Sequence, residues 1–233
     1  MMLWIRQFQL FLFDFDGLLV NTEEIHYAAY KRMCAQRGVT LDLSFEAYCR
    51  MAHYTSTGMR DKLCLEYPEL LAQAGSWDRL YAEKKQAVID LFNEGAVHPM
   101  PGVVPLLTAL ENAAIPRCVV THSADELVKA ICRQNPIFDT IPTWITRGHY
   151  SQAKPHPECY LKAINMLAKP GDRVVGFEDS PRGLTALQGT NAHPVLICKI
   201  EYPEIPTFVA QGVSHFPSFD AIPHDWNPSS SRK

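Results

Sequence analysis

A short apolar run, Leu10-Phe11-Leu12-Phe13, ends abruptly in two carboxylates within Asp14-Phe15-Asp16-Gly17. An unbroken apolar run of this length predicts a strand over 9–13 that is covered on both faces, as in a parallel sheet between helices. Ligands of such sheets bind beyond the carboxyl ends of the strands. The carboxylates therefore stand where a site is expected, although Asp-x-Asp-Gly alone is equally typical of a solvated turn.

After the Pro/Gly-rich stretch 98–102, helical and strand patterns alternate along the chain. The predicted strands cover 117–121, 143–146, 173–177 and 195–198, and the predicted helices cover 103–112, 124–134, 157–167 and 182–188. Alternation with short connections indicates right-handed crossovers. The sequence therefore predicts an α/β fold with a Rossmann-like, mostly parallel sheet.

The segment between the first strand and this stretch has only helical patterns, with helices predicted over 24–36, 57–65 and 77–92. Asn21 is predicted to cap the first of them, with Glu24 as its capping-box partner. The predicted organisation is a core domain over 1–19 and 98–224, an inserted all-helical cap domain over 20–97, and a flexible tail over 225–233.

Composition narrows the class of protein. The chain has 233 residues, of which 47% are hydrophobic, enough for a large core plus a smaller insertion. A net charge of −3 argues against nucleic acid and anionic membranes as partners. Seven scattered cysteines without a Cys-x-x-Cys favour a reducing compartment. The N-terminal stretch is interrupted by Arg6 and Gln7 and lacks a cleavage site of small residues, so we expect a cytoplasmic protein.

Three further polar clusters follow later apolar runs: Thr121-His122-Ser123, Lys154-Pro155 and Glu178-Asp179-Ser180. Each alone has an ordinary explanation, such as a helix cap formed by Ser123, a solvated loop lysine or an acidic helix start. Because parallel strands end at one edge of their sheet, we expect all the clusters to converge with Asp14.

The first carboxylate cluster suits covalent catalysis. Asp14 is the candidate nucleophile, since a carboxylate that attacks a phosphate ester forms an aspartyl-phosphate. Asp16 is the candidate acid that protonates the leaving oxygen and then the base that activates water. Gly17 permits a sharp turn that leaves main-chain N–H groups facing the phosphate.

The later clusters supply groups that bind phosphate and metal. The Thr121 hydroxyl and the N–H of His122 are expected to bind phosphate at a helix N-terminus. Lys154, in a loop stiffened by two prolines, is expected to act as a fixed cation for the phosphoryl oxygens. The predicted ligands of a Mg²⁺ ion are Asp14, the main-chain carbonyl of Asp16, Asp179 and Glu178, the last either directly or behind another ligand.

The ordered set, over residues 8–196, resembles the haloacid dehalogenase superfamily, and the insertion resembles that of its β-phosphoglucomutase-like phosphatase branch. Three stretches carry the resemblance: Asp-Phe-Asp-Gly-Leu-Leu-Val-Asn-Thr-Glu from Asp14, Lys-Pro-His-Pro from Lys154 and Gly-Phe-Glu-Asp-Ser-Pro-Arg-Gly from Gly176. It implies functional roles for Asp14, Asp16, Thr121, Lys154, Glu178 and Asp179. Asn21 stands where the family usually has Asp, and His122 where it usually has Asn. Neutral drift explains both departures as well as an altered cap hinge or pocket does.

The resemblance implies a phosphatase acting on a small phosphomonoester, of the sugar phosphate or nucleoside monophosphate class. His26, Arg60 and Lys84 of the insertion are possible substrate contacts, although a packing or solvent-exposed role is equally compatible with each. A β-phosphoglucomutase-like phosphomutase is the alternative, and a non-catalytic phosphate-binding module is the third reading. The expected partner is a small-molecule phosphate ester, with no nucleic acid and no membrane, and the expected state is a monomer or weak homodimer.

Overall fold

A computed structural model describes residues 2–55 and 57–228 of the protein. The chain divides into two compact units, one formed by Met1–Val20 and Pro99–Lys233 and the other by Asn21–His98. We call them the core unit and the inserted unit. The two predicted junctions between core and cap, 19/20 and 97/98, each lie one residue before the division between these units.

The core unit is built on a parallel sheet. Its strands are β1 (Leu10–Phe13), β2 (Arg117–Val120), β3 (Thr143–Ile145), β4 (Val174–Glu178), β5 (His193–Ile197) and β6 (Ser214–Phe216). Their order is β3-β2-β1-β4-β5-β6, and every neighbouring pair is parallel. After β1 the chain forms β2 and β3 on one side of this strand and then β4, β5 and β6 on its other side. The point where the strand order switches, at which ligands of such sheets bind, therefore lies at the carboxyl end of β1. The predicted Rossmann-like sheet is confirmed.

The described residues contain ten α-helices. They are α1 (Thr22–Ala35), α2 (Phe45–Tyr54), α3 (Gly58–Glu66), α4 (Pro68–Ala74), α5 (Trp77–Asn93), α6 (Val103–Asn112), α7 (Asp125–Gln134), α8 (Glu158–Leu167), α9 (Pro181–Gln188) and α10 (Ile205–Ala210). Helices α1–α5 form the inserted unit, and the others belong to the core unit. The predicted all-helical insertion is therefore confirmed. Within the core unit, 3₁₀ turns cover Leu3–Gln7, Pro136–Thr140, Arg147–His149 and Phe219–Ala221.

Strand β1 is buried on both faces, because the side chains of alternate residues pack into apolar layers on opposite sides of the sheet. Leu10 and Leu12 belong to a buried cluster with Tyr160 of α8 and Leu187 of α9. On the opposite face, the ring of Phe13 stacks on that of Phe177 in β4, with centroids 5.2 Å apart. Each such side chain contributes about 1.5–3 kcal/mol by its burial. This packing fixes the end of β1, from which Asp14 projects.

Asn21 does not cap α1 with its side chain, which corrects the predicted capping box. Its Nδ2 donates to the Ala96 carbonyl at 3.0 Å, and its Oδ1 accepts from the His98 N–H at 2.8 Å. The side chain thus ties the start of the inserted unit to its end. An amide suits this position because it both donates and accepts, whereas a carboxylate only accepts.

The predicted flexible tail starts too early. Trp226 is buried, and its ring packs against Trp4 at 5.2 Å, Phe8 at 6.1 Å and Phe216 at 5.6 Å. The core unit therefore extends at least through this residue, since burial of one indole outweighs the entropy of ordering a few residues. Positions 229–233 of the predicted tail lie outside the described residues.

Strand β6 was not predicted, because Ser214-His215-Phe216 has neither an apolar run nor clear alternation. It is ordered by pairing with β5. Among the described helices, none is both long enough and apolar enough to cross a membrane.

Candidate active site

Asp14 follows β1 directly and is held by the sheet. Its N–H donates to the Phe177 carbonyl at 3.0 Å, which continues the pairing of β1 with β4. The chain then turns at Gly17, whose φ of 76° is in the left-handed region that favours glycine. The Gly17 N–H closes this turn by donating to the Val20 carbonyl at 2.9 Å. The predicted turn is present, and it places Asp16 just beyond the strand end.

Lys154 is the centre of a buried ion-pair network. Its Nζ donates to Asp14 Oδ1 at 2.5 Å and to Glu178 Oε1 at 2.7 Å. The Val120 carbonyl oxygen at 2.9 Å and the Tyr160 hydroxyl oxygen at 3.1 Å are also within hydrogen-bond distance, so the three N–H bonds of the amine are shared among four acceptors. The amine therefore joins the ends of β1, β2 and β4, as the convergence argument predicts. A solvated loop lysine is excluded, because only 9% of this side chain is exposed.

Within this network, Asp14 and Lys154 have strongly displaced pKa values. Burial raises the pKa of Asp14, and Glu178, Asp179 and Asp16 add to the rise, while the charge of Lys154 opposes it. Burial alone lowers the pKa of an amine, but the adjacent carboxylates Asp14 and Glu178 reverse this effect and hold the pKa of Lys154 well above its usual value. Lys154 is thus a permanent cation beside the candidate nucleophile.

Glu178 is the second carboxylate on Lys154 and is 1% exposed. The Tyr160 hydroxyl donates to the same Oε1 that Lys154 contacts. Gly183 at the start of α9 lies against the carboxyl group, so that a Cβ at this position would overlap the Glu178 oxygens. Glu178 is therefore fixed from three sides.

Asp14, Glu178 and Asp179 form an acidic cluster in which one oxygen of each lies within 4.8 Å of the others. Three convergent carboxylates are hard oxygen donors of the kind that Mg²⁺ prefers, and the single charge of Lys154 leaves part of their mutual repulsion uncompensated. The donor set thus fits a divalent metal. The Asp16 carboxylate is not in this cluster. The predicted contact of Asp16 with the metal is made by its main-chain carbonyl, and it stays a prediction.

Asp16 is oriented by two hydroxyl groups from the end of β2. The Thr121 hydroxyl donates to Asp16 Oδ2 at 3.0 Å, and Ser123 Oγ donates to the same oxygen at 2.6 Å. Thr121 Oγ1 in turn accepts from the Ser123 N–H at 3.0 Å. The proton of the Thr121 hydroxyl is thus directed to Asp16, and phosphate binding by this group stays a prediction. Ser123 does not cap α7, where the sequence alone suggested a cap.

His122 is exposed beside this pair and contacts Tyr150. Its Nδ1 lies 2.9 Å from the Tyr150 hydroxyl, which donates to the Thr121 carbonyl at 3.0 Å. Partial burial lowers the pKa of His122, as do the charges of Arg147, Arg182 and Lys154. Binding of phosphate by its main-chain N–H stays a prediction.

The candidate residues of the inserted unit do not form one group. Lys84 Nζ lies 2.7 Å from His26 Nδ1, and Lys84 is buried against the rings of Tyr30 and Tyr81. Arg60 is exposed on α3 and pairs weakly with Asp61 at 3.4 Å. The structure brings His26 and Lys84 together, and it places Arg60 in a separate, solvated setting.

Several known proteins resemble this chain in sequence. A sequence profile of the haloacid dehalogenase-like hydrolases matches residues 11–197. The chain belongs to this family. CbbY from Cereibacter sphaeroides is 30% identical over 186 residues, which cover 76% of this chain and 79% of that protein. Validoxylamine A 7′-phosphate phosphatase from Streptomyces hygroscopicus subsp. limoneus is 28% identical over 176 residues, or 75% of this chain and 78% of that enzyme.

Solved structures of CbbY are also similar to this chain. CbbY from Rhodobacter sphaeroides in complex with phosphate superposes with a TM-score of 0.64 at 25% identity, covering 91% of this chain and 95% of that one. A variant of that CbbY in complex with xylulose-1,5-bisphosphate has a TM-score of 0.65 at 24% identity, covering 92% and 96%.

Two contributors to this haloacid dehalogenase-like site were missed in the sequence. Tyr160 lies inside α8, where its apolar neighbours indicate only core packing, and Ser123 looked like a helix cap. Position within the ordered motifs could have indicated Ser123, two residues after Thr121. Nothing in the local sequence distinguishes Tyr160 from a packing residue.

Proposed function

We propose that the protein is a Mg²⁺-dependent phosphatase that hydrolyses a small phosphomonoester through an aspartyl-phosphate at Asp14. The observation that supports this most is the contact of Lys154 with Asp14 at 2.5 Å, next to a second carboxylate, Asp16, held by two hydroxyls. A nucleophile, a separate acid/base and a fixed cation at one strand edge are the parts that phosphoryl transfer requires.

In the first half of the proposed reaction, an Asp14 oxygen forms a bond to phosphorus while the bond from phosphorus to the ester oxygen breaks. Asp16 gives its proton to that leaving oxygen. In the second half, Asp16 takes a proton from water as the water oxygen bonds to phosphorus. The bond between phosphorus and the Asp14 oxygen then breaks, which releases inorganic phosphate and restores the Asp14 carboxylate.

The remaining residues hold charge in place. Lys154 binds the phosphoryl oxygens in this proposal, together with the main-chain N–H of His122. The Thr121 hydroxyl, which donates to Asp16, and the Gly17 N–H, which donates to the Val20 carbonyl, would give up these partners to bind phosphate. Asp14, Glu178, Asp179 and the Asp16 carbonyl would hold the Mg²⁺, which neutralises part of the phosphate charge when bound. Tyr160 and Gly183 keep Glu178 in position.

For the substrate we propose a sugar phosphate first and a nucleoside monophosphate second. The relatives named above support this order, since one CbbY structure holds xylulose-1,5-bisphosphate and another relative is a phosphatase of validoxylamine A 7′-phosphate. His26 and Lys84 are the inserted-unit residues we propose as substrate contacts. Arg60 has less support, because its guanidinium pairs with its neighbour in an exposed position. We further propose a cytoplasmic enzyme, consistent with its free cysteines.

Phosphate release across a panel of sugar phosphates, nucleoside monophosphates and phosphoglycolate tests the proposal, with Mg²⁺ or EDTA present. We expect release that requires Mg²⁺, with one sugar phosphate preferred. Lack of release from every ester in Mg²⁺ would contradict the proposal. A coupled assay for glucose 6-phosphate from β-glucose 1-phosphate separates the phosphomutase alternative, which requires that product.

A further inference from the structure

The hydrogen bonds around His122 determine which ring nitrogen carries its proton. A carbonyl oxygen only accepts, so the single proton of the Tyr150 hydroxyl is the one donated to the Thr121 carbonyl at 3.0 Å. The Tyr150 oxygen must then accept from His122 Nδ1, 2.9 Å away. In its neutral form His122 is therefore the Nδ1–H tautomer, and its Nε2 is an acceptor with a free lone pair.

The surroundings favour this neutral form. Partial burial and the positive charges of Arg147, Arg182 and Lys154 all lower the pKa of His122, against the single opposing charge of Asp16. Tyr150 itself is anchored, since it follows the turn Arg147–His149 and packs against the buried cluster beneath β1 and β2. The imidazole is thus held on one side and exposed on the other.

A neutral acceptor is a poor partner for phosphate oxygens, which are acceptors themselves. It is a good partner for a hydroxyl group. We infer that His122 is a specificity-determining residue whose Nε2 accepts a hydrogen bond from a hydroxyl of the substrate's leaving group, and that Tyr150 is the residue that positions it. This inference rests on the proposed phosphatase function. It narrows the substrate class to hydroxyl-bearing phosphate esters.

The tautomer can be tested without turnover. Nitrogen-15 NMR of the imidazole in the free wild-type protein should show a protonated Nδ1 and an unprotonated Nε2 for His122 at neutral pH. The Tyr150→Phe variant should shift the population towards the Nε2–H tautomer. Tyr27→Phe is a matched control, because the Tyr27 hydroxyl also donates to a main-chain carbonyl, that of Leu43 at 2.6 Å. An Nε2–H tautomer in the wild-type protein would overturn the inference.

Specificity is measured as the ratio of kcat/KM for ribose 5-phosphate to kcat/KM for p-nitrophenyl phosphate, whose leaving group has no hydroxyl. One lost hydrogen bond lowers this ratio by about tenfold. We expect that fall in Tyr150→Phe and in His122→Leu. In His122→Gln, whose Oε1 is an acceptor, we expect a smaller one.

Two failures are distinguishable. If wild type hydrolyses p-nitrophenyl phosphate with Mg²⁺ but the ratio is the same in His122→Leu, the inference is wrong and the phosphatase proposal stands. If wild type hydrolyses neither ester nor any other of the panel, the phosphatase proposal fails, and the role in specificity fails with it.

Discussion

Each of the two units of the protein buries a lysine, but the groups that surround the two amines differ in charge. Lys154 of the core unit lies between the carboxylates of Asp14 and Glu178, at 2.5 and 2.7 Å. Lys84 of the inserted unit has no carboxylate within ion-pair distance among the residues described. Its amine lies 2.7 Å from His26 Nδ1 and 4.9 Å from the centroid of the Tyr30 ring.

The pKa values of the two amines diverge accordingly. The adjacent carboxylates hold the pKa of Lys154 well above its ordinary value in spite of burial. Burial lowers the pKa of Lys84 to about 8, against a weaker opposing effect of Glu23. The same side chain is a permanent cation in one unit and a titratable amine near neutral pH in the other. Charge compensation rather than burial decides the difference.

The largest expected effect comes from replacing the compensated lysine. Lys154→Met leaves Asp14 and Glu178 buried without their cation, which should lower the free energy of unfolding by about 3–5 kcal/mol. Loss of a fixed charge at the phosphoryl group should also lower kcat by about 10²–10³-fold. Urea unfolding and phosphate release measure the two effects. Unchanged stability would show that the carboxylates are not held by Lys154.

The same substitution in the inserted unit should have the opposite sign. Lys84 has a folded pKa of about 8 against 10.5 when unfolded, so its charge opposes folding at pH 7. Lys84→Met should therefore raise the free energy of unfolding at pH 7, by at most about 3 kcal/mol. The gain should shrink as the pH rises from 8 towards 10.5, because wild-type Lys84 then folds as a neutral amine.

Urea unfolding followed by circular dichroism at pH 7 and pH 10 tests this prediction, with Lys154→Met as the matched control. Destabilisation by Lys84→Met at pH 7 would contradict the comparison between the two lysines. It would mean that the contact with His26 and the aromatic rings outweighs the cost of burying the charge.

A smaller effect is expected from crowding Glu178. Gly183→Ala places a methyl group where the Glu178 oxygens now lie, so the carboxylate must shift from its present position beside Lys154 and Tyr160. We expect Mg²⁺ affinity, measured by activation of phosphate release, to fall by about 10–100-fold. Gly148→Ala is the control, since a Cβ there meets no atom within 4 Å. Equal affinity in both variants would show that the position of Glu178 is unimportant for the metal.

The smallest effect concerns the base of the inserted unit. Asn21→Asp keeps an acceptor for the His98 N–H but replaces the donor to the Ala96 carbonyl with a second oxygen. The free energy of unfolding should fall by about 1–2 kcal/mol. Thermal melting of the variant measures the change. A rise in melting temperature would show that the amide is not required at this junction.

The core was predictable because its strands are short apolar runs that end in polar residues. Parallel pairing brings such ends together whatever their separation in sequence, so Asp14, Lys154 and Glu178 could be grouped without coordinates. Helix α6 matched its predicted bounds, since Gly102 before it and the apolar spacing within it are local signals.

What the sequence could not provide depends on tertiary contacts. Asparagine commonly caps helices, yet the hydrogen-bond partners of the Asn21 side chain lie 75 and 77 residues away. Burial of Trp226 depends on Trp4 and Phe8 at the other end of the chain. The hydroxyl of Tyr160 is distinguished only by the Glu178 oxygen that it meets. In each case a long-range partner overrides the local pattern.

The central claim is that Asp14 carries the phosphoryl group during turnover. The most direct measurement is acid quenching of the working enzyme, followed by borohydride reduction and peptide mass spectrometry, because borohydride reduces an acyl phosphate to an alcohol but leaves a free carboxylate intact. We expect reduction at Asp14 only when the phosphate ester and Mg²⁺ are both present, and no turnover in Asp14→Asn. Reduction at a different residue, or Mg²⁺-dependent turnover at the wild-type rate in Asp14→Asn, would contradict the account.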